Sequence, residues 1–130
     1  VHCPLTAETQ GMLGAREFAL MPPHAYFITT ARGGIHDEPS LVAALRTQKI
    51  AGAGIDVWSI EPPPADHPLL SLDNVIATSH TAGVTHEARR NIATIAAEQI
   101  LGLFAGERAP RILNPNAWDG FATRIAALFG

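Results

Sequence analysis

Three stretches decide the fold: Ala25-Tyr26-Phe27-Ile28-Thr29-Thr30 followed by Ala31-Arg32-Gly33-Gly34; Ala51-Gly52-Ala53-Gly54-Ile55-Asp56-Val57; and Asn74-Val75-Ile76-Ala77 followed by Thr78-Ser79-His80. Each is a short apolar run that stops on polar or glycine residues. The first is aromatic and β-branched, which suits a buried strand. The second is continuously apolar up to Asp56. Its Gly52 and Gly54 weaken strand propensity and suggest that another backbone comes close. The third is a short strand ended by Thr78-Ser79-His80.

Working outward, helices are expected between and after these runs. One spans about Glu38 to Gln48, with Asp37 as N-cap, Pro39 in its first turn and Leu41, Ala44 and Leu45 as its apolar stripe. A long one spans about His86 to Ala105, with Thr85 as N-cap and Glu87 well placed in the first turn. Ile92, Ala96, Ile100, Leu103 and Phe104 recur at helical spacing and mark the face expected to be buried. Gly106 is its stop. Pro62-Pro63-Pro64 excludes regular structure, residues 110 to 115 read as a linker-like crossing, and Ala122 to Phe129 as a last short helix. Short buried strands alternating with helices indicate βαβ units, hence an α/β fold with a mostly parallel sheet. Three strands are few for a two-sided α/β domain. Val1-His2-Cys3-Pro4-Leu5 reads as the end of a further strand, so the expectation is a fragment of a larger fold.

Composition narrows the function. The 130 residues are 47% hydrophobic and 16% charged, with 9 basic and 12 acidic side chains and a formal charge of −3. The arginines are scattered with no basic stripe, which gives nucleic-acid binding no electrostatic footing. No apolar run approaches the ~18 residues of a membrane-spanning helix, and the first residues lack the basic-then-apolar pattern of a signal peptide, so none is expected. Cys3 is the only cysteine, so no intrachain disulfide can form, which fits a cytoplasmic location. The six histidines (His2, His24, His36, His67, His80 and His86) form no HxxxH or HxH pair, so no metal site is expected.

Ligands of open parallel sheets bind at the carboxyl ends of the strands. Arg32, Asp56 and His80 each follow an apolar run and so reach that edge, with Glu61 in the loop leaving the Asp56 strand. An arginine can grip a carboxylate through two parallel hydrogen bonds. A histidine exchanges a proton near neutral pH, and a neighbouring carboxylate fixes its tautomer and favours its protonated form. Together these groups suit reduction of a 2-oxo acid: hydride arrives at the carbonyl carbon, the histidine protonates the oxygen and the arginine holds the acid. Each residue also has a plainer role open to it: Arg32 as a solvated turn residue, Glu61 as surface, His80 as a cap for the following helix, Asp56 in a local turn.

In order along the chain, these segments resemble the D-isomer-specific 2-hydroxyacid dehydrogenases. His2-Cys3-Pro4-Leu5-Thr6 with Glu8-Thr9 and Gly11 resembles the family's H-x-P-L-T-x-x-T-x-G turn. Thr30 to Gly34 with Asp37-Glu38 resembles its ARG-x-x-x-DE signature. Gly52 to Val57 with Glu61-Pro62 resembles GAGLDV…EP. His67-Pro68-Leu69-Leu70, Asn74-Val75-Ile76 and His80-Thr81-Ala82-Gly83 resemble HPL…NVI-x-TPH-x-AG. The resemblance runs from residue 1 to about 115.

It implies a partial Rossmann-like, doubly wound parallel sheet: residues 1–84 the C-terminal half of a dinucleotide-binding domain, 85–109 a crossover helix, 110–130 a C-terminal piece of a substrate domain. It implies Arg32 as the substrate-carboxylate arginine, and Glu61 and His80 as the acid–base pair. Asp56 would lie near the nicotinamide carboxamide, and Cys3, Thr30, Ala31, Arg32, His80, Thr81, Ala82 and Gly83 would line the cofactor. The cofactor implied is NAD, with NADP open, because the chain contains neither the Gly-x-Gly-x-x-Gly loop nor the acidic residue that helps choose between them. The partners implied are a small 2-hydroxy or 2-oxo acid and, at full length, a second copy in a homodimer. Three positions depart from the pattern: Thr29 where Asn is usual, His36 where Val is usual, and Ser79 where Pro precedes the histidine and steadies its backbone. Corepressor relatives of the family, which sense the cofactor and bind proteins, keep the same fold and triad. That role, or an inactive truncation, is the alternative to an enzyme.

Overall fold

The computed structural model describes residues 1–129; Gly130, the last residue of the expected tail, lies outside them. The chain forms two compact units, residues 1–83 and residues 84–130.

The first unit is built on a parallel three-stranded sheet in the order β1-β2-β3: β1 (Tyr26–Thr29), β2 (Gly52–Ile55) and β3 (Val75–Ala77). Each is shorter than the sequence suggests. The pairing nevertheless runs on past the strands, since Ala51 N donates to Ala25 O and Asp56 N to Thr29 O. Helix α2 (Glu38–Arg46) crosses from β1 to β2. Asp37 caps it, its carboxylate accepting from the Ser40 amide and hydroxyl, and Pro39 sits in the first turn where its missing N–H costs nothing. The helix stops before the expected Gln48, which adopts a left-handed φ of 53°.

One face of the sheet carries the core. Phe27 and Ala53 point inward with Leu41 and Leu45 of α2, and Phe18, Ile50, Ile55, Trp58 and Leu69 complete the cluster. Burying side chains of this size stabilises by ~1.5–3 kcal/mol each. Phe18 meets Phe27 edge to face at 5.3 Å. It comes from a short helix, α1 (Ala15–Leu20), which periodicity does not reveal because Phe18 is its one buried residue. On the opposite face Tyr26, Ile28 and Ile76 are exposed.

Gly52 is the close approach expected: a Cβ there would lie 2.7 Å from Asn74 O, whereas one on Gly54 would make only ordinary contact with Ile28 at 3.7 Å. The first five residues form no strand; a single ladder-like bond joins Val1 N to Ile28 O at 2.7 Å.

The second unit holds α3 (His86–Phe104) and α4 (Trp118–Phe129), the latter starting four residues earlier than its apolar pattern. Thr85 caps α3 through Ala88 N, and Gly106 closes it at a φ of +80° with its amide on Leu103 O. The face assigned to burial is not buried. Ile92, Ile100 and Phe104 are more than half exposed, and α3 has no buried residue. Helical spacing of apolar residues reports a face that calls for cover; within its own unit Leu103 is half-buried beside Trp118 and Phe121, and Phe104 lines a groove with the same two rings.

Candidate active site

In a parallel sheet all the carboxyl ends share one edge. Here that edge carries Thr30 to Arg32 after β1, Asp56 after β2 and Thr78 to His80 after β3. The loops meet tightly. Gly33 lies so close to the Trp58–Ser59 backbone that a Cβ on it would fall 1.9 Å from Trp58 O, which brings the arginine loop against the loop that carries Glu61.

Glu61 and His80 are paired, Oε2 to Nδ1 at 2.8 Å. The other carboxylate oxygen accepts from Trp58 N at 3.1 Å. The hydrogen bond from His80, then that from Trp58, hold the Glu61 carboxyl below the usual glutamate range against a small burial effect, with the charges of His80 and Arg32 adding to them. An ionised carboxylate only accepts. His80 Nδ1 therefore carries a proton, and Nε2 is the ring nitrogen that exchanges one. The Arg32 guanidinium is exposed, donates to its neighbour's carbonyl, Ala31 O, at 2.7 Å, and is near enough to Glu61 for its charge to be felt.

Asp56 builds the turn that presents His80. It is only 4% exposed. One oxygen accepts from the Thr78 hydroxyl and from Thr81 N, the other from Ala82 N, and its own carbonyl accepts from His80 N at 2.7 Å. Burial raises its pKa, but the bonds from Thr78, Ala82 and Thr81, together with the His80 charge, pull it below the ordinary aspartate value. His80 has a left-handed φ of 55°, a conformation that costs a non-glycine residue about 1 kcal/mol or more and is held here by the Asp56 clamp. The expected loosening at Ser79 is answered by that clamp. Asp56 thus spends its visible bonds on the protein, and the Thr81 and Ala82 amides, expected to line the cofactor, are engaged by it. Gly83 is exposed.

Cys3, Thr30, Ala31 and Arg32 line one groove of about 600 Å³ with His2, Pro4 and Leu5; His2 Nδ1 lies 3.2 Å from Thr30 Oγ1. The groove lies beside the strand ends, and polar and apolar groups share its walls about equally. Among the described residues, no group of three or more metal-ligating side chains gathers, and no helix is long and apolar enough to cross a membrane. Sequence reasoning misses Trp58, Thr78, Glu38 and His67 as builders of this edge. Glu38 and His67 stand inside quoted motif segments, but nothing in their spacing reveals that they touch.

The sequence family described as D-isomer specific 2-hydroxyacid dehydrogenase, NAD binding domain, matches residues 1–82. The chain belongs to that family, and its first unit falls within the family's NAD-binding domain, with a Rossmann-like α/β fold. It is similar to D-3-phosphoglycerate dehydrogenase of Methanocaldococcus jannaschii, 45% identical over 117 residues that make up 89% of this chain and 22% of the relative. Among solved structures it resembles D-lactate dehydrogenase with NAD+ from Lactobacillus jensenii, with a TM-score of 0.77 and 34% identity over 86% of this chain and 38% of that one. It also resembles a D-isomer specific 2-hydroxyacid dehydrogenase from Xanthobacter autotrophicus Py2 in complex with NADPH and MES, with a TM-score of 0.70 and 40% identity over 91% of this chain and 48% of that one. The chain spans less than half the length of each.

Proposed function

We propose that the protein to which this chain belongs interconverts a D-2-hydroxy acid and its 2-oxo acid with NAD or NADP. The observation that carries this reading is the 2.8 Å bond between His80 Nδ1 and Glu61 Oε2 at the carboxyl edge of the sheet, beside Arg32. When bound, the nicotinamide supplies or takes up the hydride. The remaining work falls to the chain's own side chains. The Arg32 N–H groups not used on Ala31 O grip the substrate carboxylate and orient the adjacent carbonyl. His80 Nε2 gives its proton to the carbonyl oxygen in reduction and takes it from the hydroxyl in oxidation. Glu61 stays ionised throughout, holds the ring and steadies the imidazolium.

Family likeness extends the reading to a cytoplasmic homodimer. It also assigns Cys3, Thr30, Ala31 and Gly83 to the cofactor groove and residues 110–130 to a substrate domain.

The test is kinetic, on the intact protein. His80→Gln is expected to lower kcat by about 10²–10⁴-fold, the usual worth of a positioned acid–base group. Glu61→Gln is expected to shift the pH–rate profile. Arg32→Gln is expected to raise KM for the 2-oxo acid by about tenfold or more, as loss of a charge-assisted hydrogen bond implies. Near-normal turnover with an unchanged profile in the first two variants would defeat the proposal.

A further inference from the structure

Glu61 reaches His80 from a short loop that ends in three prolines, so something must fix that loop. Two bonds come from within the site: Trp58 N to Glu61 Oε1 at 3.1 Å and Trp58 Nε1 to Thr78 O at 2.9 Å. The rest comes from behind it. Glu38, in the first turn of α2, accepts from Ser59 N through Oε1 at 2.8 Å, and its Oε2 lies 3.3 Å from His67 Nε2. Both side chains are largely buried, 12% exposed for Glu38 and 15% for His67. His67 Nδ1 accepts from Leu69 N at 3.3 Å, so that nitrogen carries no proton and Nε2–H is the one that donates to Glu38. The His67 ring and the Trp58 indole also meet in a T-shaped contact, centroids 5.3 Å apart.

We propose that Glu38 and His67 form a positioning pair that sets the Glu61 loop from the start of α2 and thereby holds Glu61 on His80. The pair carries the rigidity of a core helix, anchored by Leu41 and Leu45, across to Trp58 and Ser59. Those two residues define where the Glu61 carboxylate lies. A carboxylate suits the task because its two oxygens can accept from two donors of different origin, a loop amide and an imidazole. A histidine suits it because its second nitrogen locks onto the following turn. This inference deepens the dehydrogenase reading and rests on it for the meaning of the Glu61–His80 pair.

The test measures the placement of Glu61 directly. In the cofactor-free protein, the ¹³Cδ signal of Glu61 is followed against pH in the parent, Glu38→Ala, Glu38→Gln and His67→Phe. The groups that face Glu61 are His80, Arg32 and the Trp58 amide. If Glu38 sets the loop, its removal frees Glu61 from His80 and Trp58, and the titration midpoint climbs toward the ordinary glutamate value of about 4.3. Glu38→Gln, which can still accept from Ser59 N, restores part of the shift. His67→Phe keeps the ring contact with Trp58, loses the bond to Glu38 and falls between. In turnover of the intact protein, Glu38→Ala lowers kcat by about tenfold to a hundredfold, the scale of a small misplacement of reacting groups, with KM for the 2-oxo acid nearly unchanged.

An unchanged Glu61 titration in Glu38→Gln and His67→Phe, together with unchanged kcat, overturns the proposal; these milder variants decide it if Glu38→Ala does not fold. The two readings fail separately. Indifference of turnover to Glu61→Gln defeats the acid–base assignment, while the titration of Glu61 still reports whether Glu38 and His67 position it.

Discussion

His36 shows what one residue can conceal. The sequence sets it just ahead of a helix cap, where a polar side chain is ordinary. In the fold it is 2% exposed, lies 5.2 Å from the Phe27 ring, and neither ring nitrogen has a partner. Burial lowers its pKa, and the nearby charges of Glu38 and Asp37 oppose this only in part. Because the unfolded chain binds the proton more readily, stability rises with pH through the window between the folded and unfolded values. It is complete above the ordinary histidine value of about 6.5 and lost as pH falls through the depressed one. The slope cannot exceed about 1.4 kcal/mol per pH unit for one proton. Urea unfolding at about pH 5 and pH 7.5 should show His36→Val removing that acid slope without lowering stability near neutrality, since it deletes two unpaired buried nitrogens. A slope equal to the parent's would place the acid sensitivity elsewhere. Gly33 is the complementary case. Its role is invisible in the string Ala31-Arg32-Gly33-Gly34, where either glycine could be the essential one, and it emerges only when Trp58 O is found where a Cβ would go. Gly33→Ala should cost about 1–3 kcal/mol through overpacking and raise KM for the 2-oxo acid, because Arg32 is next in the chain. A denaturation midpoint and KM that both match the parent would mean that the loops separate freely.

Among the elements, the turn after β3 is where local preference and function meet. Arg32, Asp56 and His80 could be placed on one edge from the sequence because strand ends are legible: an apolar run stops and a polar residue follows. The same logic could not show how the residues hold one another, since the 58–61 loop, the 78–82 turn and the first turn of α2 are joined by bonds between residues about twenty or more positions apart. Helix α1 escaped for a related reason: one buried phenylalanine makes no period. In the turn, the Asp56 carboxylate gathers three donors and keeps His80 in a left-handed conformation. In Asp56→Asn an N–H group of the new amide would face the Ala82 or Thr81 amide. About 1–3 kcal/mol should be lost for the donor left unpaired, and kcat should fall further than KM moves because His80 is released. The aspartate's folded pKa lies below its unfolded value, so its contribution is present above about pH 4 and disappears as pH falls through the folded value. The parent should therefore lose more stability in acid than Asp56→Asn, whose remaining slope comes from the other groups with lowered values, such as Glu61. Parallel acid curves for the two proteins would show that the clamp carries no linked stability.

At the scale of the whole molecule, the two units are built differently. Among the described side chains, every buried one lies in residues 1–83, and residues 84–128 contain none. The Arg32, Glu61 and His80 positions all fall in the first unit, so the candidate chemistry rests on a packed core, while α3 has local hydrogen bonds and leaves Ile92 and Ile100 exposed. Opening free energies follow burial and contact density rather than helix content. Amide hydrogen exchange on this 130-residue chain should therefore be slowest at Ala53, Asp56 and Thr78, which pair within and just beyond the sheet. Exchange should be about a hundredfold or more faster along α3, a gap of about 2.7 kcal/mol in opening free energy. His80 N, bonded to Asp56 O at 2.7 Å, should follow the sheet and not α3. Equal protection in α3 and β2 would mean that the Ile92 and Ile100 face finds cover in solution. Fast exchange at His80 would mean that the histidine turn opens independently of the core, and then the Asp56 clamp could not be what holds the imidazole in place.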